Sequence, residues 1–275
     1  MELITNLISY IIFKTMVTIK EQKFSYVISK KHNAPMLLRK YNVILKNALK
    51  KKKFVFKFQK SIKLIELDIP RTFPESKWLK QEANQGKVKE LLRIFDLYSN
   101  IGYIQGMLFI IVPLLRLYEN VEYLAFWSFI DITEMLRPLY FSLITGTCTK
   151  NKNIIHVIEL WQACKRVTLD ANSFDMLYLL LHYKFMTSLF LSLVGNNLNN
   201  VRLVLDYFMV YLGNSIKFKQ RLHSLGLALL LSILPAHNIQ KNIETMSSCY
   251  LSNEALKIII QTANECEFLF AKGSV

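Results

Sequence analysis

Residues 65–80 read IELDIPRTFPESKWLK, and the proline at position 70 decides how the chain behaves there. Proline offers no backbone N–H and disfavours helical backbone in the residue before it. A helix running through Ile62–Leu67 therefore ends near Asp68, and Arg71 falls just past that end, on a turn. A long cation placed there reaches outward. A second break comes at residues 101–107, IGYIQGM, where Gln105 sits between Gly102-Tyr103-Ile104 and Gly106-Met107. Taken singly, these residues have ordinary readings. Arg71 would be a surface or ion-paired arginine, Asp68 a helix-terminal carboxylate, Tyr103 a core aromatic and Gln105 a loop residue.

Outward from these breaks the sequence is helical in period. Residues 86–98 carry Val88, Leu91, Leu92, Phe95 and Tyr98 at three- and four-residue spacings. Residues 105–118 are nearly all apolar, with Pro113 predicting a kink. Residues 121–136 place Leu124, Phe126, Trp127, Ile130 and Met135 mainly on one side, and further helices fit 153–168, 176–194, 199–212, 221–234 and 253–270. FVFKF at 54–58 alternates like a strand but has no hairpin partner nearby, so it is discounted. With 52% hydrophobic residues, eight glycines and six prolines in 275 residues, the composition favours long helices over a turn-rich β fold. One all-α body is expected.

Charge is unevenly placed. Residues 1–65 hold 15 Lys or Arg against Glu2 and Glu21, a balance of +13, whereas the remaining 210 hold 20 basic and 18 acidic, a balance of +2. The run KNALKKKKFVFKFQKSIK, residues 46–63, is the centre of this excess. Such a run is a solvated face, or it meets an anionic membrane or an acidic protein. Nucleic acid is the weakest partner, because no module signature accompanies the charge.

Several chemistries lack their residues. Cys148, Cys164, Cys249 and Cys266 form no CxxC pair and no zinc spacing with the five histidines, so free thiols in a reducing compartment are expected. There is no HExxH, GxSxG, P-loop or GxGxxG. His156, alone on an apolar helical pattern, reads as a core histidine. The stretch 176–195 is long enough to span a bilayer, but Lys184 near its centre costs about 2.5–3.5 kcal/mol on insertion. Buried helices explain it better than a membrane span.

The ordered set of motifs resembles the TBC-domain GTPase-activating proteins of Rab GTPases. IELDIPRTFP resembles the Ile-x-x-Asp-x-x-Arg motif with its Thr-Phe-Pro, and GYIQGM the Tyr-x-Gln motif. Between them KVKELLRIFDLYS carries the family's Leu-Leu-Arg and trailing aromatic. VEYLAFWSF, VRLVLDYFMVYLG and LGLALLLSIL are similar to later family helices, in the right order, over about residues 62–235. The resemblance implies a multi-helix TBC-like domain over 56–275, preceded by a basic segment, 1–55, expected to be helical and packed on it.

The resemblance also implies roles. Arg71 is an arginine finger and Gln105 a glutamine finger, supplied in trans to the GTPase. Asp68 orients Arg71, Ile65 packs beneath, Gly102 and Tyr103 shape the loop that presents Gln105, and Gly106 allows close backbone approach. Arg93 is a structural ion-pair residue of the site wall. The chain is then an activator rather than a stand-alone hydrolase, with no cofactor of its own, because GTP and magnesium belong to the partner. A cytoplasmic protein follows, peripheral to membranes through its basic segment, with a role in vesicle trafficking or in mitotic exit. The alternative is a catalytically weak binding module or scaffold for a small GTPase. Retention of both fingers favours catalysis. The two-residue link between Tyr98 and Ile101, and Leu205 where the family commonly has Trp before its late Asp, favour the module.

Overall fold

The computed structural model describes residues 30, 33–50, 55–99, 102–145, 152–181, 198–209, 214–235, 237–238, 240–242 and 251–270. The helices are α1 (Ala34–Lys50), α2 (Val55–Asp68), α3 (Glu82–Tyr98), α4 (Leu108–Leu117) and α5 (Glu122–Thr145) in the first half. The second half holds α6 (Lys152–Lys165), α7 (Ala171–Leu179), α8 (Leu198–Met209), α9 (Ser215–Ile233) and α10 (Asn253–Cys266). Short 3-10 turns follow α2 (Ile69–Arg71) and α10 (Glu267–Phe270). No strand occurs among the described residues, and FVFKF lies at the start of α2, Phe54 itself being outside them.

Helix boundaries follow local chemistry. Asp170 caps α7 by accepting from the Ser173 backbone N–H at 2.8 Å and its hydroxyl at 2.9 Å, so the helix begins at 171 rather than 176. These bonds hold the Asp170 carboxyl below its ordinary pKa. Asn214 and Ser252 cap α9 and α10 in the same way. α3 starts at Glu82, four residues ahead of the apolar pattern, with an acid in its first turn that complements the helix dipole. α4 starts three residues later than its apolar run suggests, because Gly106 at φ 100° cannot be helical. α5 runs on to Thr145, beyond the expected 136. Of the stretch 176–194, residues 182–194 lie outside the described residues.

α4 is the axis of the fold. All its residues except Phe109 and Arg116 are buried, and it packs on α3, α5 and α8. Around its first-half side, α1 lies on α3 and α5, and the Trp127 indole N–H donates to the Leu37 carbonyl at 2.9 Å. Aromatic rings fill this layer edge to face: Tyr41 on Phe126 at 5.3 Å and Phe95 on Phe129 at 4.9 Å. The second half centres on α9, which packs against α6, α8 and α10. There the Arg221 guanidinium lies over the Tyr207 ring at 4.7 Å and reaches Glu267 at 3.4 Å. Among the described residues no helix is long and apolar enough to cross a membrane, and no group of His, Cys, Asp and Glu could hold a metal.

The two described thiols sit in the second half. Burial pushes the Cys266 thiol up to about 12 and that of half-buried Cys164 up to about 11. His156, expected in the core, is not there. His156 is partly exposed, beside Glu159 and edge-on to Phe270, while His223 is buried, 5% exposed, its ring tilted against Phe270 at 5.9 Å.

His223 makes stability depend on acid. Burial lowers its pKa to about 4, against 6.5 in an unfolded chain, opposed by a hydrogen bond with the Lys219 backbone and aided slightly by the charges of Lys219 and His156. The folded state therefore takes up a proton less readily than the unfolded one between these values. The stabilisation is complete above pH 6.5, declines as pH falls from 6.5 to 4, and is gone below. The expected loss is about 3 kcal/mol. In His223→Gln the pH 4–6.5 slope of unfolding free energy, measured by urea titration, should flatten. An unchanged slope would mean that His223 ionises freely in the folded protein.

Candidate functional site

Helix α2 delivers the first half of the site. It stops at Asp68 because Pro70 cannot continue it, and the chain tightens into the 3-10 turn Ile69–Arg71. Ile65, 1% exposed, anchors the last full turn in the core, and Ile69 does the same for the 3-10 turn. Thr72 locks the exit: its backbone N–H donates to the Asp68 and Ile69 carbonyls at 3.0 and 3.2 Å, and its hydroxyl to the Asp68 carbonyl at 2.9 Å. Helix-end carbonyls that would otherwise lack partners are thereby satisfied. Arg71 leaves this tied-down turn exposed to solvent.

The next residue, Phe73, adopts φ 50°. A bulky residue there is a genuine outlier, and a residue preceding proline is ordinarily driven to extended backbone. Such strain costs about 1–3 kcal/mol and persists only where the surroundings impose it. Here they do. Phe73 is buried with its ring edge-on to Phe109 at 5.2 Å, and its carbonyl accepts from the Ser76 N–H at 2.8 Å. Downstream, Asn84 donates to the Trp78 carbonyl at 2.9 Å and Gln85 to the Leu79 carbonyl at 3.0 Å, fastening this irregular stretch to the start of α3.

The loop before α4 supplies the second half. Gly102 at φ 77° and Gly106 at φ 100° give it two turns that residues with a Cβ resist. Both glycines are buried, as is Tyr103 between them. The Met107 N–H closes the turn onto the Ile104 carbonyl at 3.1 Å. Gln105 stands at its tip, exposed. Of the two-residue link between Tyr98 and Ile101, Ser99 is buried, while Asn100, with Ile101 after it, lies outside the described residues.

One hydrogen bond joins the halves: the Tyr103 hydroxyl donates to the Asp68 carboxylate at 2.8 Å across 35 positions of sequence. It sets the Arg71 turn and the Gln105 loop side by side. Neither the Arg71 guanidinium nor the Gln105 amide has a hydrogen bond or ion pair to another described residue. The arrangement offers an unengaged permanent cation next to an unengaged donor–acceptor amide, each on fixed backbone. Asp68 contacts Tyr103, so its position depends on the tyrosine as well as on the helix end. Arg93 is engaged elsewhere, gripping Glu90 through Nε at 2.7 Å and through a second nitrogen, which raises its pKa further. Thr72, Phe73 and Phe109 are structural members that the spacing of Arg71 and Gln105 gave no reason to single out. The available signal was an aromatic wedged between threonine and proline.

Compared with known families, residues 12–237 match the Rab-GTPase-TBC domain family, a span that begins inside the basic N-terminal stretch and contains both halves of the site. Among curated proteins, the Caenorhabditis elegans protein named Growth hormone-regulated TBC protein 6 is 28% identical over 116 residues, covering 42% of this chain and 34% of that protein. The match thus spans about a third of that relative's length. No solved structure matches the chain. The all-α architecture and the family match over most of the sequence agree, and the chain belongs to the Rab-GTPase-TBC domain family.

Proposed function

We propose that this chain accelerates GTP hydrolysis by a Rab-type small GTPase, with Arg71 and Gln105 both entering the partner's nucleotide site. The observation that carries the reading is the 2.8 Å Tyr103–Asp68 hydrogen bond, which pairs the two loops while both side chains stay exposed and unengaged. A small GTPase is slow because little stabilises the charge that develops on the transferred phosphoryl group. The planar, permanently charged Arg71 guanidinium meets phosphate oxygens with two N–H groups at once. The Gln105 carbonyl accepts from the attacking water while its NH₂ donates to phosphate oxygen, so one amide holds both reactants. Magnesium and GTP belong to the GTPase; this chain supplies side chains only. Its place is the cytoplasm, in vesicle traffic.

The supporting residues act through these two. Asp68 and Tyr103 hold the loops together, Ile65 seats the helix end, and Gly102 and Gly106 permit the loop that carries Gln105. Arg93 stiffens α3 through its pair with Glu90 and touches neither finger. The basic stretch 1–65 adds a second contact, to an anionic membrane surface where a lipidated GTPase would be found. Part of that stretch, Lys51–Lys53, lies outside the described residues.

Arg71→Ala and Gln105→Ala should each lower single-turnover GTP hydrolysis on the cognate GTPase by about 10²-fold, with affinity for the GTP-loaded partner little changed. Arg71→Lys should recover little, because a point charge lacks the fork. Together the two alanines should cost less than the product of their separate effects, since both act on one phosphoryl group. Near-wild-type stimulation in both single variants would replace this reading with that of a docking module.

Loosening the link between the loops should cost less than removing a finger. Asp68→Ala and Tyr103→Phe are each expected to slow the stimulated rate by about tenfold, the scale of an indirect loss of geometry. The same hydrolysis assay checks this, and an unaltered rate in both would show that the hydrogen bond does not orient Arg71.

For the basic stretch, reversing Lys50–Lys53 to glutamate should weaken sedimentation with phosphatidylserine vesicles, each lysine contributing about 1 kcal/mol near the surface. Hydrolysis measured in solution should be preserved. Equal vesicle binding at low salt would rule the membrane contact out.

A further inference from the structure

We propose that Phe73 and Phe109 form a second clasp between the two loops, and that both are positioning residues for Arg71 and Gln105. The inference rests on the functional reading above for its catalytic consequence, though not for the clasp itself. The first clasp joins Asp68 to Tyr103; the second joins Phe73 to Phe109, with ring centroids 5.2 Å apart and planes at 76°. In sequence the two contacts bracket the two exposed side chains. Arg71 lies between Asp68 and Phe73, and Gln105 between Tyr103 and Phe109.

A single contact between two segments fixes their separation at one point and leaves them free to pivot about it. A second contact, displaced along both segments, removes the pivot. The hydrogen bond alone would therefore bring the loops together without setting the angle between Arg71 and Gln105. The aromatic pair sets that angle. Edge-to-face packing is directional, so it holds an orientation as well as a distance.

The backbone explains why the aromatic at 73 matters in particular. Phe73 is held at φ 50° in front of Pro74, a conformation it would leave if its ring were not gripped. Its downstream side cannot yield, because Ser76 bonds the Phe73 carbonyl and residues 78–79 are tied to Asn84 and Gln85 on α3. Upstream, relaxation at Phe73 would pull on the Thr72 bonds to the Asp68 and Ile69 carbonyls, which hold the turn that carries Arg71. Phe109 in turn is fixed by its place in the first turn of α4, where its N–H donates to the Gly106 carbonyl at 3.0 Å, directly beside Gln105. Strain at Phe73 and burial of α4 are thus balanced through one ring contact.

The test uses the full chain and three variants: Phe109→Leu, which keeps apolar bulk but loses the ring; Phe73→Leu, as a second way to open the clasp; and Phe109→Tyr, which keeps the ring. Hydrogen exchange followed by mass spectrometry reads the Thr72–Ser76 amides without any GTPase. Exchange there should speed up by about tenfold in both leucine variants, the scale of one aromatic pair, and stay at the wild-type rate in Phe109→Tyr. The melting midpoint should stay close to wild type in all three. On the cognate GTPase, the leucine variants should lower maximal stimulated turnover by about tenfold with KM for the GTP-loaded partner within about twofold, and Phe109→Tyr should restore it. Unchanged exchange in the leucine variants overturns the clasp. Faster exchange with intact turnover overturns the positioning role. A wild-type chain that stimulates no Rab-type GTPase overturns the functional reading and this catalytic consequence with it, and the exchange rates still decide the clasp.

Discussion

Helix α4 cannot tolerate water on almost any side, and the surrounding structure is arranged to meet that demand. A ten-residue helix with only Phe109 and Arg116 outside the core must be wrapped by other helices. Burial of each Leu, Ile or Val in it contributes about 1.5–3 kcal/mol, so displacing the helix would be far costlier than adjusting what surrounds it. Its C-terminal end is fastened as well. The Tyr118 hydroxyl pairs with that of Ser128 at 2.9 Å, and burial pushes the phenol up to about 12. The loop carrying Gln105 enters this immobile helix directly and inherits its rigidity.

The candidate site joins a rigid base to free tips. Around Arg71 and Gln105 the backbone groups are bonded, the glycines occupy conformations suited to them, and the flanking aromatics are packed. The two functional side chains are exposed. Ordering the backbone in advance lowers what a partner must spend on binding, and an oriented reacting group is worth most when little remains to be fixed at the moment of reaction. Charge is arranged on a different principle. The +13 of residues 1–65 contrasts with the +2 of the remaining 210, and helix α2, whose Lys57, Lys60 and Lys63 belong to the basic stretch, leads directly into the Arg71 turn.

Much of the helical order was legible because it depends on local rules. Pro70 ends a helix whatever lies around it, the apolar spacing of 86–98 needs a core to face, and the lone alternation of FVFKF had no strand to pair with. Helix starts were less legible. Gly106 and Asp170 shift the ends of α4 and α7 by a backbone angle and by a side-chain cap, and neither shows in hydrophobic period. His156 lies nearer the surface than its apolar sequence neighbours suggest, for a related reason. Periodicity marks which face of a helix is apolar, and the depth of each residue depends on what packs against that face.

The sequence by itself determined that the chain is helical, that it breaks at Pro70 and at Gly102–Gly106, and that an arginine and a glutamine stand at those breaks. These are consequences of proline and glycine backbone chemistry and of residue order. Only the tertiary structure decided that the two breaks meet, through a tyrosine hydroxyl on a carboxylate 35 positions away and through two phenylalanine rings. It alone decided that Phe73 is held at a positive φ. Contacts between distant segments depend on how the intervening helices pack, and a left-handed phenylalanine before proline is opposed by every local preference, so no reading of neighbours along the chain could supply either.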